Sequence, residues 1–181
     1  MTSVHRRQLL KGAALGALAY TVGGAQVLLS PRDAHAQGLP LKVLGADERA
    51  ALEALGETLL PGAKEAGLAH YIDQQLSVDP GEALLLARAL GVMPPYANFY
   101  RAGLAALDAS SLKHHGAKFA ALLPEKRSEF VEQFRQKLPE GWSGPPPSPF
   151  FYRCVRHARA DERKGRPRQW QARHHCERHC R

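Results

Sequence analysis

From Leu44 onward, apolar side chains recur at spacings of three and four, the pattern of helices that each bury one face. Gly45-Ala46-Asp47-Glu48 opens the first with a cap and early acids. Leu52, Leu55 and Leu59 form its stripe, and Leu60-Pro61-Gly62 stops it. A second helix is predicted from about Ala66 to Ser77, with Leu68, Tyr71, Ile72 and Leu76 on one side, before the turn Asp79-Pro80-Gly81. Glu82 to Leu90 reads as a third, apolar helix, and Pro94-Pro95 interrupts it. Ala97 to Leu107 continues with Phe99, Tyr100, Leu104 and Leu107. Gly116 to Leu123 and Glu125 to Lys137 follow, the latter with Pro124 at its first turn and Arg135 and Lys137 late, where they suit the helix dipole. The proline-rich run Gly141 to Pro149 must be an extended loop, and Ser148 to His157 reads as a short last helix. Strand signals are nearly absent, so the expected fold is all-α: a single small domain of about six helices.

The first 36 residues have a different character. Ser3-Val4-His5-Arg6-Arg7-Gln8-Leu9-Leu10-Lys11 resembles the twin-arginine export consensus, with Arg6, Arg7, Leu9, Leu10 and Lys11 in the matching places. A weakly apolar stretch rich in glycine and alanine runs from Gly12 to Leu29. Ala34-His35-Ala36 then puts small side chains at the −3 and −1 positions of a signal-peptidase site, with cleavage before Gln37. Arg32, just before that site, disfavours the general secretory route. An uncleaved membrane anchor is the bland alternative, but so many glycines and alanines make a poor span. The twin-arginine route carries folded proteins, so the remaining 145 residues are expected in the periplasm.

Charge sharpens this division. The net +8 is concentrated at the ends: residues 1–36 carry +3, residues 153–181 carry +7, and residues 37–152 carry −2. A near-neutral body argues against a nucleic-acid partner, which would require a basic stripe on a folded face. The domain is therefore expected over 37–160. A basic tail follows over 161–181, disordered by composition because it holds almost no apolar residue besides Trp170.

Candidate chemistry is sparse. There is no phosphate-binding glycine loop behind a strand, no Cys-x-x-Cys-His haem attachment site and no Gly-x-Ser-x-Gly elbow. His114-His115 is expected at a solvated helix start, and His70 on the polar side of the second helix, neither with a role. The tail residues His174, His175, Cys176, His179 and Cys180 have ligand types that suit zinc. Yet they crowd into seven residues amid arginines, whereas structural zinc sites draw on two separated segments around an apolar core. All three cysteines, Cys154, Cys176 and Cys180, lie in the last 28 residues, and their disulfide state is open. Trp142, Phe150, Phe151 and Tyr152 either cap the helical core or present aromatic anchors to a partner beside rigid prolines.

The run Asp47 to Gly62, followed by Gly67-Leu68-Ala69-His70-Tyr71-Ile72-Asp73-Gln74-Gln75-Leu76, resembles the gluconate 2-dehydrogenase subunit 3 family, as does the leader before it. Phe119-Ala120-Ala121-Leu122-Leu123-Pro124-Glu125-Lys126-Arg127 and Pro149-Phe150-Phe151-Tyr152 extend the likeness to roughly residues 3–160. The resemblance implies the small subunit of a membrane-bound dehydrogenase of sugars, sugar acids or polyols. It implies no cofactor in this chain, a large partner subunit holding FAD, and a multihaem cytochrome c partner carrying haem c. The small subunit would supply the signal that takes the large one through the twin-arginine translocase, and the complex would lie at the periplasmic face of the inner membrane. Residues 161–181 depart from the family pattern, which suggests either a basic docking arm or a frameshift near Ala160. Two rival readings are an independent periplasmic metal- or redox-binding protein using the Cys/His tail, and a stand-alone enzyme. The second lacks a visible nucleophile, base and orienter.

Overall fold

The computed structural model describes residues 16–85, 87, 91–136, 139 and 141–146. The described chain opens with a β-hairpin. Strands β1 (Leu18–Val22) and β2 (Ala25–Leu29) pair antiparallel, with Tyr20 opposite Val27. The loop between them is Gly23-Gly24, with φ of 56° and 82°. Two consecutive positive φ angles are what a tight hairpin turn of the primed type requires, and glycine adopts them without a Cβ penalty.

Five helices whose bounds lie within the described residues follow. Helix α1 (Pro31–Ala36) is capped by Ser30, whose hydroxyl accepts from the Asp33 amide at 3.1 Å, and has proline at its first position. Helix α2 (Ala46–Leu59) starts where the Glu48 carboxylate accepts from the Gly45 amide at 2.7 Å, half of a capping box. Helix α3 (Leu68–Ser77) and the 20-residue α4 (Tyr96–His115) come next. After a 3-10 turn at Phe119–Ala121, α5 (Pro124–Gln136) completes the set.

The core lies where α2, α3, α4, the 3-10 turn and α5 meet. Leu52, Leu55, Ile72, Tyr100, Leu104, Leu107, Phe119 and Phe130 are buried there. Each such side chain contributes roughly 1.5–3 kcal/mol by leaving water. A row of aromatic rings seals one end: Phe119 to Phe130 at 6.0 Å, Phe130 to Phe134 at 4.8 Å and Phe134 to Trp142 at 4.9 Å. Offset and edge-on ring contacts of this kind add to plain area burial. None of the helices among the described residues is long and apolar enough to cross a membrane.

Several expectations are corrected. The chain is mostly helical but not purely so, because the glycine- and alanine-rich stretch read as leader contains the β1–β2 hairpin. Residues 81–85 form a turn and irregular chain rather than the start of a helix, with Leu84 drawn off by a 2.6 Å bond from its amide to Gln75 Oε1. Gly116 to Leu123 yields only the short 3-10 turn: the Phe119 amide bonds to Asp108 Oδ1 at 3.0 Å, which ties it to α4. Helix α4 runs eight residues past Leu107, so His114 and His115 occupy its last turn rather than a helix start. The last helix expected over Ser148 to His157, and the tail, lie outside the described residues.

Candidate functional site

Of the residues singled out from the sequence, Arg6, Arg7, Leu9, Leu10 and Lys11 lie outside the described residues. So do Phe150, Phe151 and Tyr152, and the cluster His174, His175, Cys176, His179 and Cys180. Trp142 is half-buried. It packs edge-on against Phe134 and its indole N–H donates to the Pro145 carbonyl at 2.8 Å, which folds the loop back on the core. Ala34 and Ala36 lie in α1, with Gln37 as its C-terminal cap, and Ala34 is fully buried.

The richest polar constellation in the described residues lies where the hairpin and α1 meet α2 and α3. It is assembled from both sides of residue 36. Tyr20 on β1 is buried, and its hydroxyl donates to the His70 carbonyl at 3.3 Å. His70, on α3, is 1% exposed, and its Nε2 lies 3.0 Å from the Leu39 carbonyl. A carbonyl only accepts, so Nε2 carries the proton and Nδ1 is bare. The His35 ring of α1 stands edge-on to His70, with centroids 5.5 Å apart. His35 Nδ1 lies 3.9 Å from Glu53 Oε1, and the same oxygen accepts from Arg49 Nε at 2.7 Å. Lys64 Nζ lies 3.9 Å from the other Glu53 oxygen.

One turn along α3, the buried Asp73 binds the chain that leads from α1 to α2. Its carboxylate accepts from the amides of Lys42, Val43 and Leu44, each at 2.8 Å. Lys42 Nζ in turn reaches Thr21 Oγ1 on β1 at 3.1 Å. Gly67, the residue before α3, has φ of 80°, and a Cβ placed there would sit 2.0 Å from the Pro31 carbonyl oxygen. Backbone packs on backbone at that point, so α1 fits against α3 only because residue 67 has no side chain.

The electrostatics follow from burial. Desolvation pushes the His70 pKa below the ordinary imidazole value, only partly opposed by its bond to the Leu39 carbonyl. Burial, with the Asp73 charge nearby, holds the Tyr20 hydroxyl protonated far above the ordinary phenol range. Burial also raises Asp108, against the pull of the Phe119 amide and Lys118. Among the described residues no group of three or more His, Cys, Asp or Glu side chains is placed to hold a metal ion. The constellation joins two parts of the chain: His70 and Glu53 face the segment that carries Tyr20, Pro31 and His35.

Sequence reasoning passed over His70 as a polar-side residue and did not single out Tyr20, Glu53, Gly67 or Asp73. One local signal was available. A Gly-Gly pair between Leu-Ala-Tyr-Thr-Val and Ala-Gln-Val-Leu-Leu is a hairpin pattern. The aspartate and histidine carry no local signal, because their partners lie 29 to 31 residues away.

No curated protein and no solved structure matches the chain. A family model described as gluconate 2-dehydrogenase subunit 3 matches residues 46–160, a span that includes α2 through α5 and ends where the arginine-rich tail begins. With that match over most of its length, the chain belongs to the gluconate 2-dehydrogenase subunit 3 family, an accessory subunit of a dehydrogenase complex that associates with the catalytic subunit.

Proposed function

We propose that this accessory subunit serves a periplasmic, FAD-dependent dehydrogenase of sugars, sugar acids or polyols, as the chain that exports, matures and stabilises the flavoprotein. The observation that carries the reading is a combination in one chain: a run resembling the twin-arginine consensus, Arg6 to Lys11, lies upstream of the family-matched residues 46–160. In this reading FAD resides in the large subunit, haem c in a multihaem cytochrome subunit, and this chain supplies no catalytic residue. The complex is peripheral to the inner membrane, and the translocase is a transient partner through Arg6 and Arg7.

Co-expression with the large subunit tests it. With the natural leader, flavoprotein activity is expected in the periplasmic fraction. With the double substitution Arg6→Lys, Arg7→Lys, the large subunit should remain in the cytoplasm. A large subunit that reaches the periplasm regardless would overturn the carrier role.

A further inference from the structure

We propose that residues 18–39 form a strap that docks on α2 and α3 and closes the Ala34-His35-Ala36 cleavage site against signal peptidase, so that cutting before Gln37 requires the strap to open. The inference rests on reading residues 1–36 as an export leader, and it concerns how that leader is processed.

Proteases read their substrates as extended strands whose backbone groups pair with the enzyme. The proposed site has the opposite form. Pro31–Ala36 is a helix capped at both ends, with Ser30 at its start and the Gln37 amide bonded to the Asp33 carbonyl at 2.9 Å. The −3 side chain, Ala34, is fully buried, and its carbonyl accepts from the Leu39 amide at 3.1 Å. The −2 residue His35 is wedged edge-on against His70. Beyond the site, the Leu39 carbonyl is bonded to His70 Nε2, and the Lys42, Val43 and Leu44 amides to Asp73. Before it, Tyr20 is buried with its hydroxyl on the His70 carbonyl. The site is thus tied down on both sides to the same helix. The twin-arginine route moves the body folded, so the helices on which the strap docks are already formed when signal peptidase acts.

Cleavage of such a site tracks the population of the opened strap when opening is fast relative to cutting. The test is digestion of the purified full chain by a bacterial signal peptidase in detergent micelles, with products read by intact mass. A synthetic peptide spanning residues 25–45 is the unstructured control. The peptide is expected to be cut before Gln37 and the folded chain to resist. Ser30→Ala removes the cap of α1 without touching the domain, and should speed cutting about fivefold, the factor equivalent to ~1 kcal/mol of lost cap. Gly67→Ala forces α1 off α3 and should speed it further, with circular dichroism verifying that α2 to α5 remain helical. If the folded chain is cut as fast as the peptide, or if both variants leave the rate unchanged, the strap does not guard the site. An uncut peptide would overturn the cleavage site itself. Neither result bears on whether Arg6 and Arg7 direct export, which the fractionation experiment decides separately.

Discussion

Replacing Asp73 by alanine should destabilise the protein more than any other single carboxylate change in the described residues. The carboxylate is 4% exposed and accepts three amides at 2.8 Å, from Lys42, Val43 and Leu44. Not all three losses count equally. Lys42 is exposed and Val43 partly so, so their amides can turn to water, whereas Leu44 is buried and its N–H would be left without a partner. One buried orphan costs about 1–3 kcal/mol, and each lost bond to a charged acceptor rather less once water replaces it, giving roughly 3 kcal/mol in all. Asp73→Asn should cost about 2 kcal/mol, since an amide keeps one acceptor oxygen but turns its NH2 toward backbone donors. Urea unfolding of the purified chain is the assay. With a slope near 1.5 kcal/mol/M, the alanine variant should lose about 2 M in midpoint at unchanged slope. The exposed Asp79, which accepts from the nearby Gly81 amide, is the control, and Asp79→Asn should shift stability by no more than about 0.5 kcal/mol. A loss below about 1 kcal/mol for Asp73→Ala would refute the argument that this carboxylate anchors the approach to α2.

Stability should also depend on pH through His70. Its folded pKa is depressed by burial, so below about 6.5 the unfolded chain binds a proton that the native one refuses. Stability therefore falls as pH drops through and below that value, and His70→Gln, which does not titrate, should flatten the slope measured by urea midpoints from pH 7.5 to 5; equal slopes in the two proteins would contradict it. The groups facing the ring are His35, Arg49 and Glu53, so the difference between the two proteins is the quantity to compare. Phe130, 1% exposed and touching Phe119, Phe134 and His115, should cost about 3–5 kcal/mol when cut to alanine, read as a fall in thermal midpoint. A loss under about 1 kcal/mol would mean that the aromatic row does not hold α5 to the core.

Four helices of the body were legible from residue order alone, α4 only as far as Leu107. Helices α2, α3 and α5 follow from apolar spacing plus a punctuating signal at an end: the Glu48 cap, the Asp79-Pro80-Gly81 turn, and Pro124. Those signals act within one or two turns, so no knowledge of distant chain is needed to read them. The family likeness drawn from the same residues holds over 46–160. Where the local signal was weak, the reading failed. Residues 82–85 are apolar enough for a helix, but Gln75 on α3 takes the Leu84 amide instead.

The N-terminal segment separates the two kinds of information most sharply. Small and apolar residues from Gly12 to Leu29 serve equally for an export leader and for a Gly-Gly hairpin, and composition does not choose between the two uses. The choice to fold comes from elsewhere: Tyr20 finds a buried seat at His70, and Pro31 packs against Gly67, where a Cβ would collide with it. The sequence by itself determined the helical body and its family. Only the tertiary structure decided that His70, Asp73 and Gly67 bind the chain on either side of Ala34 and Ala36, because each depends on a partner some 29 to 36 residues away, beyond any local pattern.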